Sequence, residues 1–477
     1  MKRIAICVIL LAACFLHLPA QGETQRYEEF RNKIYGEYQG FRESVLSDYD
    51  KFLGGVWVEY KEFTGLKADE APKPVRQPVS QPVQPDVASQ EISPLPVEEI
   101  PVPAPIVPSV PASPVVPLPG EKLGMVEFYG AKLSLPVRQT GASLSTLDNK
   151  GIAAYWKVLK AAGFPQVAQG LLQSKEQLGL NDYMLYLLAH KYAETALKNA
   201  GSAERYMLTQ FLLVHCGLDA RLGVSNGHLV LMLPFSGKVY SRSFIQQNGV
   251  KYYVFSEYPN EKAVIYSYEL PAEAVGKGLL SLSVGAGGIR LPMDAHSFAF
   301  TDGVLKLEGN VNANLIRLLA DLPQMDNALY AQSVVDRDCR KAVLASLSAQ
   351  LTGKTKKEAL EALLHFVQSA FRYATDNEQF GYEKPFFFEE TLYYPMCDCE
   401  DRAVFFSYLV RELLQLDCHL LDYPGHVATA VAIDGASGDH YSYQGKTFYI
   451  ADPTYVGAKV GMCMPHYKNT KPELLIW

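Results

Sequence analysis

The sequence has no surplus of positive charge and little tryptophan. Forty-four Lys and Arg stand against 51 Asp and Glu, a net charge of -7, and there are three Trp in 477 residues. With no basic stripe to neutralise a phosphate backbone, nucleic acid is not an expected partner. Beyond the first twenty or so positions no apolar run reaches the ~18 residues that span a bilayer. The eight cysteines are too few for a disulfide framework in a chain of this length, and none are paired as C-x-x-C, so neither a structural metal nor a cofactor is expected.

What is present begins with "MKRIAICVILLAACFLHLPAQGETQ". Lys2 and Arg3 precede an apolar stretch to Leu18, and small residues follow, the layout of a signal peptide over residues 1–22. Export to the periplasm or the medium is expected. "LAAC", ending at Cys14, resembles a lipobox and offers a second reading, a lipid anchor at that cysteine. Cleavage at residue 22 leaves Cys216, Cys339, Cys397, Cys399, Cys418 and Cys463.

Residues 23–66 carry an eleven-residue repeat. Tyr27, Tyr38, Tyr49 and Tyr60 fall in one column, Phe30, Phe41, Phe52 and Phe63 in another, and Ile34, Val45 and Val56 in a third. Apolar steps of 3, 4 and 4 average about 3.67 residues per turn, so an amphipathic helix is expected, docking on its own protein or self-associating through residues 27–63. Residues 67–120 turn to Pro, Val, Gln and Ser ("KPVRQPVSQPVQP"), a composition that predicts a semi-rigid polyproline spacer. From residue 121 onward, strand-like runs ("HLVLMLPF", "VKYYVFSEY", "TFYIADPTY") alternate with helix-like ones ("TKKEALEALLHFVQSAF", "DRAVFFSYLVRELL"), which predicts an α+β globular region.

Within "PMCDCEDRAVFFSYLVRELL", Ala403, Phe406, Val410 and Leu413 recur at helical spacing, so Cys399 is expected at a helix start and Cys397 outside it. Unpaired N–H groups and the helix dipole there favour a thiolate. A nucleophilic sulfur needs a base, and the base needs an orienting group. "DYPGHVATAV" places His426 behind a Pro-Gly turn at the head of a strand, and "KTFYIADPTY" places Asp452 at the end of the next. The plain alternative is a buried cysteine, a loop histidine and a turn aspartate with no shared site.

"CEDRA", "GHVATAV" and "ADPTY", in that order, resemble the core motifs of the transglutaminase-like superfamily, over roughly residues 340–477. The resemblance implies a papain-like core in which Cys399 is the nucleophile, His426 the base and later the acid, and Asp452 the orienting carboxylate. It looks most similar to secreted bacterial members. Animal cross-linking members use a tryptophan at the oxyanion, and here Trp57, Trp156 and Trp477 are the only ones. The backbone N–H of Cys399 is the natural substitute, with Tyr393 or Tyr394 as further donors. Cys397 reads as a spectator or as a redox partner.

The stretch from Ser202 can be laid on the stretch from Cys399, with Gly227-His228 meeting Gly425-His426 and Ser256 falling near Asp452. Residues 121–335 are therefore read as a degenerate copy, with Ser202 at the nucleophile position, and residues 336–477 as the complete one. The function expected is acyl transfer from an amide through a thioester, with a protein, peptide or cell-wall amide as substrate and hydrolysis favoured over cross-linking. A catalytically inert envelope scaffold is the alternative.

Overall fold

Two short turns, both legible as residue pairs, organise the two halves of the protein. In the turn at Asn226-Gly227 both residues take positive φ, 49° and 76°, the two-residue geometry that Asn-Gly favours, and they join strands Arg221–Ser225 and His228–Pro234. In the turn at Pro424-Gly425, proline presets the first position and Gly425 supplies a φ of 78°, joining Cys418–Tyr423 to His426–Ala432. Each turn delivers a histidine to the first residue of a strand.

The computed structural model describes residues 61–65, 67–70, 73, 98–101, 122–247, 249–256, 264–267 and 278–476. The expected signal peptide, Cys14, the repeat up to Tyr60 and most of the proline-rich spacer lie outside them. Among the described residues, no helix is long and apolar enough to cross a membrane.

The fold is α+β, with two six-stranded sheets. The first runs in the order Lys61–Thr64, Val264–Ser267, Arg221–Ser225, His228–Pro234, Val250–Phe255, Phe244–Gln247. The second runs Glu98–Pro101, Glu473–Ile476, Cys418–Tyr423, His426–Ala432, Lys446–Ile450, His440–Tyr443. The two lists correspond position by position. They differ in the outermost strand, antiparallel to its neighbour in the first sheet and parallel in the second. A helix leads into each sheet and packs across it, Ser202–His215 in one case and Cys399–Leu414 in the other. Further upstream each half has an antiparallel hairpin, Leu123–Phe128 with Ala131–Pro136, and Ala295–Thr301 with Lys306–Asn312.

Strand alternation separates two faces. Leu229, Leu231 and Leu233 join the main core, whereas Val230 and Met232 form a small cluster with Ile245, Tyr252 and Ile265 on the other face. Leu420, Val427 and Val431 likewise enter the main core, and Leu421, Ala428 and Ala430 the outer cluster of the second sheet. The main core is contiguous through both halves.

Two sequence expectations are corrected. Lys61–Thr64, at the end of the segment read as helix, is a strand. Glu98–Pro101, inside the segment read as spacer, is also a strand, and it lies at a sheet edge where proline is tolerated. The hairpin over residues 295–312 packs against helices Arg337–Leu351, Lys356–Ala370 and Phe388–Tyr393, within the one core that both halves share.

Candidate active site

Cys399 is the first residue of its helix, and Asp398 is the N-cap. The cap runs in one direction: the Asp398 backbone N–H donates to Asp401 Oδ2 at 3.1 Å, and the Asp398 side chain makes no cap bond of its own. That bond ties the third residue of the helix back to the backbone ahead of its first turn. It fixes where the helix begins, and so where the sulfur sits.

The Cys399 helix packs on the strand His426–Ala432, and the backbone N–H of Val427, next to His426, lies near enough to the sulfur to favour its thiolate. His426 Nε2 lies 2.8 Å from Asp452 Oδ2. Asp452 is immobilised from the other side: its Oδ1 accepts from the N–H groups of Thr454 at 2.9 Å and Tyr455 at 3.2 Å. Gln368 Nε2 donates to the Asp452 carbonyl at 3.0 Å. The imidazole is stacked on Tyr467, with centroids 5.2 Å apart and planes 19° apart. With Nε2–H given to the carboxylate, Nδ1 keeps the lone pair that a base requires.

Between the sulfur and the imidazole no hydrogen bond forms among the described residues. The Cys399 thiol instead donates to Glu400 Oε2 at 3.1 Å. Its pKa departs from the sequence expectation: burial, then the carboxylates of Glu400 and Asp398, hold it well above the ordinary thiol range. The helix terminus alone favours a thiolate, but desolvation and two flanking acids outweigh it.

Cys397 is buried too, and burial pushes its thiol up to about 12. Its Sγ faces the Arg372 carbonyl at 3.8 Å. All six described cysteines are free thiols, so no disulfide links Cys397 to Cys399.

Tyr393 packs on His296, and Tyr394 on Phe386. A tyrosine that the sequence reading passed over lies within electrostatic reach of the sulfur. Tyr373 pairs with Cys397 across a short parallel bridge, and its hydroxyl is raised by burial and then by the charges of Cys399, Asp398 and Glu400. Its signal in sequence was faint, a single aromatic in a two-residue strand.

In the first half, Ser202 opens the helix Ser202–His215, His228 opens the strand His228–Pro234 and is exposed, and Ser256 follows the strand Val250–Phe255. These are the positions that Cys399, His426 and Asp452 hold in their own elements, without a carboxylate at the third.

Searches against family models, curated proteins and solved structures return no match for this chain.

Proposed function

We propose that this is an exported, transglutaminase-like cysteine enzyme that transfers acyl groups from amides, with a degenerate copy of the same unit ahead of the active one. The observation that carries the reading is the His426 and Asp452 pair at 2.8 Å, seated beside a cysteine at a helix start. The matching strand order of the two sheets supports the duplication. In the reaction the Cys399 sulfur bonds to the amide carbon as Nδ1 of His426 takes the thiol proton. The C–N bond then breaks, and the amine leaves with that proton. Water adds to the thioester, the C–S bond breaks, and the proton returns to sulfur as the acid departs.

Asp452 keeps the imidazole in the tautomer this sequence of transfers needs. The Cys399 backbone N–H is the first candidate for the oxyanion, and Tyr373 is a second. Hydrolysis is preferred to cross-linking, and the substrate class is a protein, peptide or cell-wall amide.

A second reading, an inert scaffold, is favoured by one observation, the thiol held by Glu400 rather than by His426. Alkylation by iodoacetamide at pH 7.5, mapped by mass spectrometry, separates the two. The enzyme reading expects Cys399 to react at least about tenfold faster than buried Cys418, and expects that advantage to vanish in His426→Ala. Labelling of Cys399 no faster than of Cys418 favours the scaffold.

A further inference from the structure

Gln368 is 3 % exposed, lies on the helix Lys356–Ala370, and commits its whole amide to one loop. Nε2 donates to the carbonyls of Asp452 at 3.0 Å and Ala458 at 3.1 Å, and Oε1 accepts from the Gly457 N–H at 3.2 Å. A primary amide has two N–H donors and an acceptor, and here each meets a backbone group between residues 452 and 458. Seven residues earlier on the same helix, Glu361 Oε1 accepts from the Val460 N–H at 3.2 Å. A helix buried through Leu360, Leu363, Leu364 and Val367 thus presents two polar side chains to the segment that carries Asp452.

That segment starts where the sheet stops holding the chain. The ladder with the His426 strand ends at Ile450, and the Ala451 N–H adds one bond to the Thr429 carbonyl at 2.9 Å. Past that point the Asp452 carboxylate holds the N–H groups of Thr454 and Tyr455, which shapes the loop. Gln368 places the shaped loop against the rest of the protein.

The backbone of Gln368 is tied to the nucleophile. Arg402, 1 % exposed and in the first turn of the Cys399 helix, donates to the Phe371 carbonyl at 2.6 Å and to the Gln368 carbonyl at 3.4 Å. One helix end is therefore joined through its carbonyls to the Cys399 helix and through one side chain to the Asp452 loop. A leucine at 368 would fill the space with no polar group to satisfy, and would leave three loop groups to find other partners.

We propose that Gln368 is a positioning residue, which sets the Asp452 loop against the Cys399 helix and so sets the Asp452 carboxylate on Nε2 of His426. The inference rests on the cysteine-enzyme reading of the site. A displacement of about 1 Å in a supporting group can cost on the order of 100-fold in rate. With the carboxylate displaced, the imidazole proton is no longer fixed on Nε2, Nδ1 stops serving as the base, and the sulfur falls back on its own raised pKa.

Rates of Cys399 alkylation by iodoacetamide as a function of pH, in the full chain, test it. Gln368→Met, close in size and without a hydrogen-bond donor, should slow alkylation at pH 7.5 by at least about tenfold and move the pH of half-maximal rate upward by at least about 1. Because Gln368 acts through Asp452, adding Gln368→Met to Asp452→Asn should slow the reaction by less than about threefold more. Arg340→Met, a buried change on a different helix, should leave the pH of half-maximal rate where it is. An unchanged rate and pH profile in Gln368→Met, full multiplication of the two losses in the double variant, or the same pH displacement in Arg340→Met would each overturn the role. Should Gln368→Met not fold, Gln368→Asn, whose amide is one methylene short of the loop, is read by the same criteria. Fast alkylation in the unaltered protein and in the variant alike removes the role of Gln368 alone, whereas Cys399 labelling no faster than Cys418 in the unaltered protein removes the enzyme reading with it.

Discussion

Asp452 holds His426 by one oxygen and its own loop by the other, so the two oxygens of a single carboxylate have separate tasks. In Asp452→Asn the carbonyl should stay with the Thr454 and Tyr455 N–H groups, and the amide should then face Nε2 as a donor. The imidazole would have to move its proton to Nδ1, the nitrogen that must accept one. Alkylation of Cys399 is expected to slow by about 100-fold, with the circular dichroism spectrum unchanged.

Arg340 and Glu389 form a buried two-pronged pair, Nε to Oε1 at 2.6 Å and a second guanidinium nitrogen to Oε2 at 3.1 Å. Each is at most 2 % exposed. Arg340→Met strands a buried carboxylate and should cost about 3–5 kcal/mol in urea unfolding. Adding Glu389→Leu should recover most of that loss. A double variant as unstable as the single one would show that the pair is not what the first substitution breaks.

His419 is buried, stacked on Phe448, with Nδ1 2.8 Å from the Tyr441 hydroxyl. Burial pulls its pKa down to about 4. The folded state therefore refuses a proton that the unfolded chain accepts below its ordinary value of about 6.5. This contribution to stability is complete above that value and is lost as pH falls toward 4, by about 3 kcal/mol in all. His419→Gln should flatten the urea midpoint across that window, and an unchanged slope would assign the titration to another group.

Phe405 is fully buried and stacked on Phe388, with centroids 4.5 Å apart. It secures the middle of the Cys399 helix, so Phe405→Ala should lower unfolding free energy by about 3–5 kcal/mol.

The start of the Cys399 helix and the Pro-Gly turn ahead of His426 were both readable, since each rests on neighbours in sequence. The face of the helix was not. Ala403, Phe406 and Val410 are buried as the spacing suggests and Leu413 only half so, but Val404, Phe405 and Leu409 are buried too, because helices pack on the side away from the sheet and leave no solvent face before the last turn.

The strands Lys61–Thr64 and Glu98–Pro101 were hidden for the opposite reason. Their partners are residues 264–267 and 473–476, and no local pattern announces so distant a pairing. The raised thiol was also out of reach: a helix terminus can be read from spacing, whereas Glu383 and Asp376 join Asp398 and Glu400 only after folding. At the candidate site, sequence disclosed the three groups and their order, and folding added the acids that surround the first of them.

The strand Glu473–Ile476 is inserted between Cys418–Tyr423 and Glu98–Pro101. During synthesis, the early segment must therefore wait for nearly everything else to emerge before it finds its seat. Closing so large a loop is slow, and until residue 476 arrives the margin of the second sheet stays open. A nascent chain halted before that point would present an unfinished edge beside the cysteine, and a chaperone that shields strand edges would find its target there.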